Sequence, residues 1–157
     1  MNKKIIRILI AVVICLFVGF LSSFATQSSI SDWYISLNKP RFNPPNWIFA
    51  PVWTVLYVLM GIAAGIVWNK GSYHKWVKTA MYHFIFQLIF NAAWSIVFFG
   101  MRSPGLGLIV IVILLTLIVL TIRWFRIINK TAALLLIPYL LWVSFATILN
   151  YSIWVLN

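Results

Sequence analysis

The sequence predicts an all-α membrane protein, a five-transmembrane-helix bundle with a long outer loop between helices 1 and 2. Three observations predict it. Of 157 residues, 64% are hydrophobic and 8% charged, more apolar surface than a soluble domain of this length can hide. The apolar residues gather into five stretches without a formal charge, each close to the roughly 20 residues a helix needs to cross about 30 Å of hydrocarbon. The basic residues fall in small groups between those stretches, alternately dense and sparse, as in the loops of membrane proteins.

The whole chain, residues 1–157, reads as one membrane domain. The first span covers residues 8–25. It also resembles a secretory signal, with Ser23-Phe24-Ala25 as a passable cleavage site, but its apolar run exceeds the usual length of about 7–15 residues, so we read it as retained. Residues 26–46 form the long connection, carrying Asp32, Trp33, Tyr34, Pro40, Pro44 and Pro45. Connections of this length without helical periodicity tend to be functional lids or disordered, and aromatics with prolines favour order; this one reads as a lid over the outer end.

The second span, residues 47–68, follows Asn43-Pro44-Pro45, an N-cap residue and then prolines whose missing N–H costs nothing there. Pro51 falls inside this span, where a kink is expected. Gly61 and Gly65 form a small-xxx-small pair that predicts a close helix contact. The third span is residues 79–99. The fourth, residues 104–122, opens with Ser103-Pro104 by the same capping logic. The fifth, residues 132–156, contains Pro138, the second expected kink. No internal repeat supports an inverted-repeat transporter architecture.

Orientation follows from the basic residues. Lys3, Lys4, Arg7, Lys70, Lys75, Lys78, Arg123, Arg126 and Lys130 alternate with the sparser Lys39, Arg41 and Arg102. Nine against three places the N-terminus in the cytoplasm and the C-terminus outside.

The charge balance excludes much chemistry. Twelve Lys or Arg face a single acid, Asp32, yet the cations are dispersed between apolar segments, so no nucleic-acid surface is expected. With no acid inside a span, paired-carboxylate chemistry and a carboxylate proton relay are both excluded. His74 lies in a loop and His83 in a span, with no Cys or acid at ligand spacing, so no metal site and no cofactor are expected. No phosphate-binding glycine loop is present, which rules out ATP-driven transport by this chain alone. Cys15 is the only cysteine and forms no internal disulfide.

The nine tryptophans sort by depth. Trp33, Trp47, Trp68, Trp76, Trp124 and Trp154 fall near interfaces, where an aromatic belt is the ordinary reading. Trp53, Trp94 and Trp142 lie well inside spans, where each is either bundle packing or part of a cavity wall with an N–H that needs a partner. His83, Gln87, Asn91 and Ser95 recur every four residues and predict one polar stripe beside Trp94; Trp142, Ala146 and Asn150 share a face of span five. Such groups serve as interhelical hydrogen bonds or as cavity lining, and the sequence leaves both open.

Several segments carry a resemblance: Trp33-Tyr34 through Leu37-Asn38-Lys39-Pro40; the run from Pro44-Pro45-Asn46-Trp47 to Pro51-Val52-Trp53 and Tyr57; Met60-Gly61; Asn91-Ala92-Ala93-Trp94-Ser95 with Phe98-Phe99; and Pro138-Tyr139 with Trp142, Phe145-Ala146 and Leu149-Asn150. Together they resemble the signature of the TspO/MBR family, the tryptophan-rich sensory proteins related to the mitochondrial translocator protein, over essentially the whole chain. The resemblance implies a bundle, commonly a homodimer, in a bacterial cell membrane. It also implies a pocket beneath the first loop for porphyrins or other tetrapyrroles and for benzodiazepine-type synthetic ligands. The pocket positions it implies are Tyr34, Trp53, Tyr57, Asn91, Trp94, Trp142, Ala146 and Asn150. The cholesterol pattern associated with mitochondrial relatives needs a basic residue after Tyr151, and the chain has none there, so a cholesterol role is not expected.

A porphyrin is a flat apolar disc with two carboxylates. Indole faces can stack on it, burial contributes roughly 25 cal/mol per Å², and Lys39, Arg41 and the start of span two sit where the carboxylates would need compensation. Lys39 and Arg41 are equally readable as solvated loop residues. The first functional expectation is a tetrapyrrole receptor or sensor; the alternative is a tetrapyrrole transporter. A light-dependent breakdown of bound porphyrin is a further expectation, with Trp53 and Trp142 as the oxidisable indoles and no acid-base residue required.

Overall fold

The computed structural model describes residues 2–157. Helix α1 (Lys3–Ser29) runs on through a π-helical turn, Ile30–Tyr34. A 3₁₀ turn, Asn46–Ile48, leads into α2 (Phe49–Trp68). Helix α3 (Lys75–Ser95) ends in a second π-helical turn, Ile96–Gly100, and is followed by α4 (Pro104–Ile128), α5 (Lys130–Leu135) and α6 (Ile137–Leu156). These elements make five helical segments of 23 to 32 residues, each long and apolar enough to cross a membrane, with α5 and α6 sharing the fifth.

The bundle turns apolar side chains outward as well as inward. Val13, Phe17, Phe20 and Phe24 on α1 are 58–63% exposed. A continuous apolar surface of this kind would drive aggregation in water and suits contact with lipid tails. Inside, the helices are fastened by polar groups. The Tyr57 hydroxyl donates to Asn91 Oδ1 at 2.6 Å, Asn91 Nδ2 donates to the Tyr139 hydroxyl at 2.8 Å, and that hydroxyl donates to Gln87 Oε1 at 2.7 Å. All four residues are buried. The network joins α2, α3 and α6 with its members satisfied, which is the condition for polar groups at this depth to stabilise rather than destabilise.

Glycines set the α1–α2 contact. A Cβ at Gly61 would run into the backbone of Val12, and one at Gly65 into the backbone of Ile8, so the predicted small-xxx-small pair is a helix contact and its partner is α1. Nearby, Asn69 Nδ2 donates to the Lys4 carbonyl at 2.9 Å and the Arg7 guanidinium sits 5.7 Å above the Trp68 ring. The two helices are thus closest at the end opposite the 35–45 connection, hereafter the loop end.

Several boundaries differ from expectation. Residues 26–34, read as the start of the long loop, are helical and extend α1. Their Thr, Gln and Ser side chains include no Gly or Pro to stop a helix, and Ser29 is buried with its hydroxyl on the Phe99 carbonyl at 2.7 Å. The connection is therefore residues 35–45. Asn43 is not the N-cap of the second span: its Oδ1 accepts from the Tyr34 hydroxyl at 2.7 Å, while Pro45 holds the cap position. Ser103 does cap α4, accepting from Leu106 N at 3.4 Å. Pro51 falls in the first turn of α2, where a missing N–H leaves no helical bond unmade, so it does not interrupt the helix, which runs unbroken to Trp68. Pro138 does interrupt its span, which breaks at Leu136 between α5 and α6.

Candidate functional site

At the loop end, Tyr34 from the π turn, Phe49 and Trp53 from α2, Trp94 from α3, and Trp142, Ala146 and Asn150 from α6 converge on one chamber. Six of the eight expected pocket residues meet there: Tyr34, Trp53, Trp94, Trp142, Ala146 and Asn150. The spacing that places them is legible. Phe49 and Trp53 stand one turn apart on α2, and Trp142, Ala146, Asn150 and Ile153 descend one stripe of α6.

The chamber is closed down. Its free volume is about 20 Å³, enough for roughly one water molecule. Aromatic rings fill the rest: Trp53 lies 6.3 Å from Trp94, Trp94 is stacked on Phe98 at 5.5 Å, and Phe49 meets Trp142 edge-on at 6.1 Å. Above it, Phe42 of the connection packs against Phe145 at 6.2 Å, and Phe145 against Trp142 at 5.5 Å.

The two deep indole donors differ. Trp94 Nε1 donates to Asn150 Oδ1 at 3.0 Å, and Asn150 Nδ2 in turn donates to the Pro104 carbonyl at 2.7 Å. Trp142 Nε1 is buried and has no acceptor among the described residues. A buried, unpaired N–H in an apolar wall costs about 1–3 kcal/mol, and a ligand that brings an acceptor to it recovers that cost.

The other expected residues lie around this chamber rather than in it. Tyr57 lines a neighbouring cleft between α1 and α2. Asn91 is held in the core network, bonded to both Tyr57 and Tyr139. The stripe from His83 to Ser95 separates because a four-residue step advances about 40° beyond a full turn. Gln87 and Asn91 face the core and Ser95 reaches the cleft. His83 sits about 16 Å along α3 from Trp94 at 1.5 Å per residue, with Nδ1 2.8 Å from the Thr79 carbonyl and its ring 6.0 Å from Trp124.

Lys39 and Arg41 take different positions. The Lys39 ammonium donates to the carbonyls of Tyr34, Ile35 and Leu37 at 2.7, 3.2 and 3.0 Å and stands 5.0 Å from the Tyr34 ring. It caps the end of α1, a cation where the helix dipole is negative. Arg41 is exposed on the connection.

Phe49, Phe98, Phe99, Leu149 and Ile153 also line the chamber and were not singled out as site residues. Phe49, Phe98, Phe99 and Leu149 stand inside the family-like segments, but apolar side chains in an apolar span carry no individual signal; only their register with Trp53, Trp94 and Trp142 marks them.

The family model for the TspO/MBR family matches residues 11–155. The tryptophan-rich protein TspO of Chlorobaculum tepidum is 46% identical over 157 residues, covering 100% of this chain and 99% of the relative. The translocator protein of Bos taurus is 36% identical over 137 residues, 87% of this chain and 81% of the relative. The tryptophan-rich sensory protein of Cereibacter sphaeroides is 38% identical over 127 residues, 80% of this chain and 77% of the relative.

Proposed function

The chain belongs to the TspO/MBR family and is an integral membrane protein, and from that premise we propose that it is a receptor or sensor that binds a tetrapyrrole in the aromatic chamber at its loop end. The observation that carries this reading is the convergence of Trp53, Trp94 and Trp142 on one chamber in which Trp142 Nε1 has no acceptor. Flat rings supply stacking surface and the unpaired donor supplies direction. The same donor suits the carbonyl of a benzodiazepine-type ligand.

A chamber of about 20 Å³ does not admit a porphyrin as it stands. Binding therefore includes an opening step, in which Trp142, Phe145 and Phe42 move apart together with the 35–45 connection. Ring-on-ring contacts given up among these residues are replaced by contacts with the ligand, so the cost of opening is partly returned. The exposed guanidinium of Arg41 lies on the connection that would close over the ligand and offers bidentate contact to a carboxylate. Lys39 supports the connection by capping α1 and adds positive potential without leaving its carbonyls.

The transporter alternative needs hinges. Pro51 supplies none, and the break at Leu136 is confined to the fifth span, which favours a receptor over alternating access. Spectroscopic titration of the purified protein with free-base and metallated porphyrins tests the reading. Saturable binding of both forms with similar affinity is expected; absence of binding to either ends it.

A further inference from the structure

Towards the loop end from Leu16, a cleft of about 440 Å³ lies between α1 and α2, within the range of about 300–1,000 Å³ usual for small-molecule sites. Its lining changes with depth. Gln27, Asn46 and Ser95 stand near the loop end and have no side-chain hydrogen-bond partner among the described residues. Ser22, Ser23 and Thr54, by contrast, donate to carbonyls of their own helices. Deeper in, the walls are Leu16, Phe20 and Tyr57.

From Asn46 to Tyr57 on α2, and from Gln27 to Leu16 on α1, the helices descend about 16 Å at 1.5 Å per residue. That is close to half of a hydrocarbon core of about 30 Å, the depth of one leaflet. The cleft faces the lipid side, since Phe20 on its edge is 59% exposed. No Lys, Arg, His, Asp or Glu lines it, so it offers no countercharge to a carboxylate. Its unpaired polar side chains stand at the level of a lipid's ester groups, with Ile30 and Phe49 beside them, and its deeper hydroxyls are turned to their own helices, leaving Leu16 and Phe20 to meet the chain.

We propose that this cleft is a binding site for one acyl chain of a bilayer lipid, with the lipid's glycerol ester at Gln27, Asn46 and Ser95. The site is separate from the chamber and does not depend on the tetrapyrrole reading. The two cavities share a partition that includes Trp53 and Trp94, so the bound chain lies against the back of the chamber wall.

The test uses delipidated protein in detergent and a phosphatidylcholine carrying a photoreactive diazirine on its acyl chain. Cross-links should concentrate on residues 16–30 and 46–57. Ala50 and Thr54 are exposed on the cleft wall, so Ala50→Phe and Thr54→Phe fill it without disturbing the core. Each should lower retained phosphatidylcholine by about tenfold, the effect of losing burial for roughly two methylenes. Val112→Phe, on the exposed face of α4, should leave retention unchanged. Cross-links spread evenly over all exposed helix faces, or equal retention in the three variants, would overturn the proposal. Displacement of the cross-links by free-base porphyrin would also overturn it, by making the cleft the tetrapyrrole's own site. A protein that binds the lipid here but no porphyrin leaves this inference standing and removes the tetrapyrrole reading.

Discussion

Trp94 and Trp142 face the same chamber with opposite hydrogen-bonding states: the Trp94 indole N–H is bonded to Asn150 at 3.0 Å, and the buried Trp142 N–H has no acceptor among the described residues. One ring is therefore a structural tie between α3 and α6. The other carries a buried, unpaired donor on a ring that lines the chamber.

The two should respond differently to the same substitution. Trp94→Phe strands Asn150 Oδ1 in the core and should destabilise the protein by about 1–3 kcal/mol. Trp142→Phe strands nothing, so its cost should be smaller, limited to packing. Denaturant unfolding in detergent measures both, and equal losses would show that the Trp142 N–H is satisfied.

The connection over the chamber is latched. Asn38 N donates to Asn157 Oδ1 at 3.0 Å and Asn157 Nδ2 donates back to the Asn38 carbonyl at 3.0 Å, an amide pairing that ties residues 35–45 to the end of α6. Asn157→Ala removes both bonds, and local opening should become easier by about 1–1.5 kcal/mol. Amide hydrogen exchange across residues 37–43 should quicken by roughly tenfold while the helices keep their protection. Unchanged exchange there would mean that the remaining ties, Lys39, the Tyr34–Asn43 bond, Asn38 Nδ2 on the Leu156 carbonyl and the Phe42–Phe145 contact, hold the connection without the amide pairing.

Tetrapyrrole binding should not depend on iron. His83 is engaged with Thr79 and Trp124 well away from the chamber. His83→Ala should change free-base porphyrin affinity by less than about threefold, under 1 kcal/mol. A large loss confined to haem would place a metal bond at His83.

The nine basic residues of one end against three of the other predict that the loop end faces away from the cytoplasm. A reporter fused after Asn157 that is active only outside the cytoplasm should be active. Activity from a cytoplasmic reporter at the same point would invert the protein.

Spans, their order and most of the chamber wall were legible because depth and helical period are written in residue type. The 3.6-residue period brings Trp142, Ala146 and Asn150 onto one face, and glycines at 61 and 65 announce a close neighbour. What was not legible is what each polar group meets. Asn43 reads as a cap from its neighbours Pro44 and Pro45, and becomes a partner for Tyr34 only once α1 extends to residue 34. Asn91 reads as cavity lining or glue with equal right; the hydroxyls of Tyr57 and Tyr139 decide it, and no local pattern brings them together. The α1–α2 cleft was invisible for the same reason, being a property of where two distant helices part.

The central claim is that Trp53 and Trp142 form the tetrapyrrole site, and porphyrin fluorescence quenching by the wild type and four Trp→Phe variants tests it most directly. Trp53→Phe and Trp142→Phe should weaken binding by about 0.5–1.5 kcal/mol per lost aromatic contact, and should slow any light-driven porphyrin decay further, because a benzene ring is harder to oxidise than an indole. Trp68→Phe and Trp124→Phe, at the opposite end beside Arg7 and Trp76, should change neither. Equal effects from the two pairs would contradict the account and reduce Trp53 and Trp142 to packing residues.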